Sequence, residues 1–203
     1  MEKFKKEVFV LKGTLEVVIG PMYSGKTEEL IRRVMRRKIA RQNGIIFRVS
    51  SDTRNAEELV VSRAGTHLEA KIVSGARAAQ MYLDDKLDYV AFDEIQFFES
   101  DLVGVVKKFI DAGTDVIVAG LNLDFRSEPF DNVMKIAARA DEIALLKAVC
   151  VVCGKDATLT QRLIMKDGEW VPASTKDPIF KVEGSDVKVR YEPRCKDCWK
   201  VGE

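Results

Sequence analysis

The chain reads as an α/β protein: a parallel sheet flanked by helices, followed by a small C-terminal lobe. Three observations carry this expectation. Short apolar runs of strand length alternate with helix-periodic segments between residues 15 and 146, the pattern of a sheet whose strands are joined by crossover helices. Between the first strand-like run and the first helical one lies "GPMYSGKT" at 20–27, an instance of G-x-x-x-x-G-K-[ST]. From Cys150 the texture changes, with turn signals at Gly154, Asp167-Gly168 and Gly184-Ser185, prolines at 172, 178 and 193, and only short strand candidates.

Taken in order, "LEVVI" (15–19) is β-branched and apolar and suits a strand buried on both faces. In "EELIRRVMRRKIARQ" (28–42), Leu30, Ile31, Val34, Met35 and Ile39 recur at helical spacing, and "NG" at 43–44 supplies the stop. "IIFRVS" (45–50) is the second strand. Residues 51–69 are polar and aperiodic, a long loop or hairpin of the kind that tends to carry function. Further strands are expected at 70–73, 89–92, 115–120 and 142–146, with helices near 75–84, 99–112 and 131–139.

A chain of 203 residues, 46% hydrophobic, supports one sizeable core and a small appendage. The expected units are 1–147 and 148–203. Lys and Arg number 33 against 32 Asp and Glu, so no bulk field draws the protein to nucleic acid or a membrane. Apolar runs such as "DVIVAGLNL" (115–123) fall short of a bilayer span, and "MEKFKKEVFVLKG" lacks the features of a signal peptide. A soluble cytoplasmic protein is the expectation.

The eight-residue motif is a phosphate-binding loop. Gly20 and Gly25 let the backbone wrap so that successive N–H groups point at phosphate oxygens, aided by the N-terminus of the following helix. Lys26 would reach the β- and γ-phosphates and the Thr27 hydroxyl would be a magnesium ligand. A triphosphate site needs a second acidic element, and "YVAFDEIQFF" (89–98) supplies one. Asp93, at the end of an apolar strand, would support magnesium. If the backbone turns there, Glu94 can face the acceptor and take its proton.

The four cysteines form two pairs, "CVVC" (150–153) and "CKDC" (195–198). Cys150, Cys153, Cys195 and Cys198 can complete the tetrahedron that structural zinc prefers. With every position filled by sulfur, no water is left to activate. A redox pair is the weaker competitor, because a thioredoxin-like motif needs only one of them. Phe97, Phe98, Phe125 and Phe130 fall near the carboxyl ends of parallel strands, where ligands of such sheets bind, and an aromatic slot there would suit a flat base. His67, the one histidine, is given no role.

Together these residues resemble the type II thymidine kinases, over most of the chain. "GPMYSGKTEEL" is similar to that family's phosphate loop, "DEIQFF" to its acidic motif, "LNLDFRSEPF" to its aromatic segment, and "CVVCGKDATLTQRL" with "YEPRCKDC" to its zinc and thymine-pocket elements. The resemblance implies a RecA-like phosphate-loop domain, a zinc-bearing lobe and transfer of the ATP γ-phosphoryl group to the 5′-hydroxyl of thymidine. It places Gly20, Pro21, Met22, Tyr23, Ser24, Gly25, Lys26, Thr27, Asp93 and Gln96 at the nucleotide and magnesium, with Glu94 as general base. It puts Asp52 and Arg54, in "SDTR", near the phosphates and acceptor. Met22, Phe97, Leu121, Phe125, Phe130, Thr160 and Tyr191 would line the base pocket, with Thr160 beside the thymine methyl and the segment ahead of Tyr191 as a lasso over the nucleoside.

A homotetramer, ATP with Mg2+ and a structural Zn2+ follow from the same likeness; nucleic acid and membrane partners do not. The chain departs from the family at "SRAG" (62–65), where many members have a Ser-His pair, at "EGSDVKVRY" (183–191) in the lasso, and at Asn122, where aspartate is usual. Two rivals are a nucleic-acid-stimulated ATPase, which would need a second RecA-like domain and a basic track, and a nucleotide-binding regulatory paralogue without activity.

Overall fold

The structure is a computed structural model that describes residues 12–50, 59–61, 67–180 and 187–202. In chain order the elements are β1 (Leu15–Gly20), α1 (Lys26–Ile39), β2 (Gly44–Val49), β3 (Leu59–Val61), β4 (His67–Glu69), β5 (Lys71–Val73), α2 (Ala76–Ala79), β6 (Tyr89–Phe92), α3 (Leu102–Asp111), β7 (Asp115–Leu121), α4 (Asp131–Ala137) and β8 (Glu142–Leu145). They are followed by β9 (Ala148–Val149), β10 (Asp156–Ala157), β11 (Leu159–Lys166), β12 (Glu169–Pro172) and β13 (Val189–Arg194).

Among the described residues, six strands make one sheet in the order β5-β2-β6-β7-β1-β8, and every pairing in it is parallel. Side-chain alternation along each strand divides the core in two. Leu15, Val17 and Ile19 of β1 join Phe47, Phe92, Val116 and Val118 against α3 and α4, while Val18 joins Ile46, Tyr89, Ala91 and Ile117 beneath Leu30, Ile31 and Val34 of α1. Burial on both faces is the reason these strands read as unbroken apolar runs. Phe47, Phe92, Phe98 and Phe109 form a chain of tilted and edge-on rings with centroids 5.2–6.3 Å apart.

The parallel α/β sheet is the one the alternating pattern predicts, with local differences. α1 begins at Lys26, so the last two residues of the phosphate loop are its first turn, and it ends at Ile39. "NG" is not the stop: Arg41 takes the left-handed conformation that turns the chain (φ 60), while Gly44 belongs to β2. The helix expected near 75–84 is one α-turn, Ala76–Ala79, followed by 3-10 geometry over Gln80–Tyr82, and Lys86 (φ 50) then turns the chain towards β6. The aperiodic stretch before residue 70 contains the antiparallel pair β3–β4.

Beyond β8 the pairing becomes antiparallel. β9 pairs with β10, and β12-β11-β13 form a three-stranded sheet. At eight residues, β11 exceeds the short strands expected here. Gln161, 3% exposed, pins the C-terminal segment by bonding the backbone N–H and carbonyl of Lys200 (2.8 and 2.6 Å). Among the described residues no helix is long and apolar enough to cross a membrane.

At the amino ends of the strands a charged network ties α1 to the sheet. Arg33 donates to Glu16 (2.6 Å), Glu29 (2.8 Å) and Glu142 (2.7 Å), while Arg37 donates to Glu16 (2.8 Å) and Asp115 (2.6 Å). The Arg32 hydrogen bond first, then Arg33, outweigh burial and hold the Glu29 carboxyl down from its ordinary 4.5 to about 2. Because the folded carboxyl ionises more readily than the unfolded one, its contribution is present above pH 4.5 and is lost as the pH falls through about 2. The melting-temperature gap between wild type and Glu29→Gln is therefore expected to be open at neutral pH and to close across that window. A gap that stays constant in thermal melts from pH 5 to pH 2 would refute this.

Candidate active site and cysteine cluster

The candidate site lies at the carboxyl ends of β1, β6 and β7. β1 delivers the chain to Gly20, and the loop closes at Gly25, whose left-handed conformation (φ 83) makes glycine the natural occupant. Gly25 caps α1 and, having no side chain, makes no capping hydrogen bond of its own to the first-turn amides. Lys26 is buried and its Nζ donates to the Pro21 carbonyl at 2.7 Å, which lays the ammonium along the loop; the Ser24 hydroxyl donates to the same oxygen at 2.9 Å. Tyr23 stands half exposed beside it (φ 68).

Thr27 Oγ1 donates to Asp93 Oδ2 at 3.3 Å, which puts two oxygen donors side by side at the loop's mouth. This pairing suits a hard cation that takes oxygen ligands. Asp93 is buried and continues the β6–β2 ladder through its N–H to the Phe47 carbonyl (3.2 Å). The chain then turns: Glu94 adopts φ 52, ψ 47 and Ile95–Phe97 form a 3-10 turn. The Glu94 carboxylate accepts a hydrogen bond from Gln96 Nε2, and Gln96 Oε1 accepts from the Leu121 N–H at 3.0 Å. Asn132, at the start of α4, donates from Nδ2 to the carbonyls of Ile95 (2.8 Å) and Phe98 (2.9 Å) and holds the turn from behind.

The aromatic segment after β7 is folded by Asp124, which is buried, accepts from the N–H groups of Arg126 (2.8 Å) and Glu128 (3.0 Å), and pairs with the Arg126 guanidinium at 2.7 Å. Phe125 is buried with the Arg162 guanidinium over its ring at 5.0 Å, and its carbonyl accepts from Trp199 Nε1 at 3.3 Å. Phe98 packs instead in the main core. Phe97 and Phe130 both contact Phe180, at centroid distances of 4.8 and 6.1 Å. β11 reaches the phosphate loop directly, since the Thr160 hydroxyl oxygen accepts from the Met22 N–H at 3.0 Å. Tyr191 lies opposite Arg162 in the β11–β13 ladder.

The expected residues Met22, Phe97, Leu121, Phe125, Phe130, Thr160 and Tyr191 thus sit on elements that converge at this end of the molecule. Asp52, Arg54, "SRAG" and residues 183–186 of the lasso lie outside the described residues. At the divergent position 122 the side-chain oxygen is buried without a hydrogen-bond partner, and nothing in the structure explains the substitution. The sequence reading did not single out Asn132, Asp124, Arg162 or Phe180. Phe180 carried a signal, as an aromatic in "DPIF" just ahead of the lasso; Asp124 acts through a local turn, and Asn132 and Arg162 through tertiary contacts.

The two cysteine pairs occupy turns after β9 and β13, brought together by the Val151 N–H bonded to the Pro193 carbonyl (3.3 Å). All four sulfurs lie within 4.8 Å of one another, with Cys153 and Cys195 Sγ 3.5 Å apart. Zinc–sulfur bonds of about 2.3 Å imply tetrahedron edges of about 3.8 Å, which this spacing accommodates. Burial works against ionising Cys150, yet the N–H groups of Cys195, Val152 and Cys153 bring its thiol down to about 6. Hydrogen bonding to Cys153 and Cys195, with burial, pushes Cys198 up to about 12. Four crowded sulfurs resist losing all their protons unless a cation offsets the charge, so the cluster is compatible with structural zinc.

The family model described as thymidine kinase matches residues 13–199. The chain belongs to the thymidine kinase family and is an ATP-dependent nucleoside kinase. Family membership favours this activity over the nucleic-acid-stimulated ATPase.

Proposed function

With thymidine kinase membership as premise, we propose that ATP lies with its phosphates in the 20–27 loop and that Glu94 serves the transfer of its γ-phosphoryl group to the 5′-hydroxyl of thymidine. The observation that carries this is the juxtaposition of the glycine-capped α1 N-terminus, Lys26 and the Thr27–Asp93 pair with the turn bearing Glu94. Thr27 and Asp93 would hold Mg2+, which supplies neutralisation of phosphate charge when bound. The 5′-oxygen attacks the γ-phosphorus, the bond to the β–γ bridging oxygen breaks and ADP leaves, while the hydroxyl proton passes to the Glu94 carboxylate. Lys26 and the loop amides stabilise the developing charge, and orientation of the acceptor supplies the rest.

Met22, Phe97, Leu121, Phe125, Phe130, Thr160 and Tyr191 form the base pocket in this reading, and Phe180 joins them through its contacts with Phe97 and Phe130. Residues 1–147 act as the nucleotide unit and 148–203 as the base-covering unit, with the four cysteines holding a structural Zn2+. We further propose a cytoplasmic homotetramer. Ile143 and Leu145 are exposed on β8, an edge strand of the sheet, and Met35 and Ile39 are exposed on α1. Apolar edges of this kind are stabilised when a second copy covers them.

Glu94→Gln is expected to lower turnover about 10²–10⁴-fold, the usual worth of a positioned base; turnover near wild type in a thymidine and ATP assay would remove Glu94 from this role. Elemental analysis should find about one zinc per chain, bound by ~four thiolates, and Cys198→Ser should lower both zinc content and melting temperature. Zinc-free purified protein with an unchanged melt would end the metal proposal. Light scattering is expected to return the mass of a tetramer, and a monomer mass would contradict the assembly.

A further inference from the structure

Gln96 sits two residues beyond Glu94, is 5% exposed, and has both ends of its amide engaged. The Leu121 main-chain N–H is a donor, so the Gln96 atom facing it must be the oxygen (3.0 Å). The NH2 group is thereby aimed at Glu94 Oε2, to which it donates. The flipped amide would set donor against donor at Leu121 and acceptor against acceptor at Glu94. Which way this amide points is therefore decided by a backbone group of β7.

The support behind Gln96 is equally specific. Gly120 precedes the amide that orients it, and a Cβ at Gly120 would lie 2.6 Å from Ile95 Cγ1 and 2.9 Å from Gln96 Oε1. Asn132 fastens the same turn through the Ile95 and Phe98 carbonyls. Glu94 is partly buried between the buried Asp93 and Ile95, and holding a carboxylate in one rotamer costs side-chain entropy that a fixed partner offsets. A base acts at full rate only when it is held within a fraction of an ångström of its working position.

From this geometry we infer that Gln96, which the family resemblance sets at the nucleotide and magnesium, is also a positioning residue, which locks the Glu94 carboxylate to the end of β7 and acts on phosphoryl transfer through Glu94. The inference rests on Glu94 being the base. Its test is a double-mutant cycle on the full chain, with kcat and KM for ATP and thymidine measured for Glu94→Gln, Gln96→Met and the double variant. Gln96→Met should lower kcat about 10- to 100-fold, the scale of a displaced catalytic group, with both KM values within about threefold. In the Glu94→Gln background the same change should lower kcat by less than about threefold.

Gln96→Glu keeps the acceptor for Leu121 but removes the donor to Glu94, so it should show the same kcat loss and serves as the reading if Gln96→Met does not fold. The exchanged pair Glu94→Gln with Gln96→Glu rebuilds the contact with its polarity reversed. It should melt close to wild type while its turnover stays as low as that of Glu94→Gln alone. Full multiplicative loss in the double variant, a raised KM for ATP at unchanged kcat, or wild-type kinetics in both Gln96 variants would overturn the inference. Near-normal turnover of Glu94→Gln would instead strike the reading of Glu94 itself, a result distinguishable from all of these.

Discussion

The site depends on how closely three strand ends approach one another. β1 and β6 are not neighbours; β7 lies between them, so the phosphate loop and the acidic turn meet over the carboxyl end of β7. That meeting requires β7 to be bare at Gly120, where any side chain would displace Ile95 and Gln96. Close packing leaves little room for a compromise, because an added methyl group here would press on the Ile95 amide as well as on both side chains. Thr27–Asp93 and Glu94–Gln96 are both consequences of this one approach.

The C-terminal units take part in the same assembly. Thr160 accepts a hydrogen bond from the phosphate loop itself, and Arg162 lies over Phe125 while its Nη1 donates to the Pro178 carbonyl at 2.6 Å, just ahead of Phe180. Trp199 bonds the Phe125 carbonyl and Gln161 holds Lys200, so residues near the end of the chain fix the aromatic segment that follows β7. The cysteine cluster anchors the two turns from which β9 and β13 are held together. A metal held by four thiolates would act there through rigidity rather than chemistry.

Stability and chemistry are drawn from opposite ends of the sheet. At the amino ends, Arg33 and Arg37 bind carboxylates from β1, β7, β8 and α1 itself, fixing α1 against the sheet. At the carboxyl ends, the same helix opens on Gly25, a cap residue with no side chain to bond its amides. The helix can turn its glycine-capped N-terminus towards an anion because its other contacts hold it in place, through the apolar row of Leu30, Ile31 and Val34 and the charged network together.

Much of this was legible in the residues alone. Gly20 to Thr27, the apolar runs, the acid pair at the end of β6 and the doubled cysteine spacing are local patterns, and local patterns survive in one dimension because each states its own backbone and chemistry. What the chain order could not show is which distant groups meet. Arg41 in place of "NG" at the helix end, the Asn132 clamp, Phe180 against Phe97 and Phe130, and the direction of the Gln96 amide depend on contacts with groups distant in the chain or on strained conformations that no periodicity encodes. The sequence by itself determined the parallel sheet, the phosphate loop and the thiol set; the tertiary structure decided how the acidic turn is held, because a hydrogen bond between Leu121 and Gln96 exists only after β6 and β7 lie side by side.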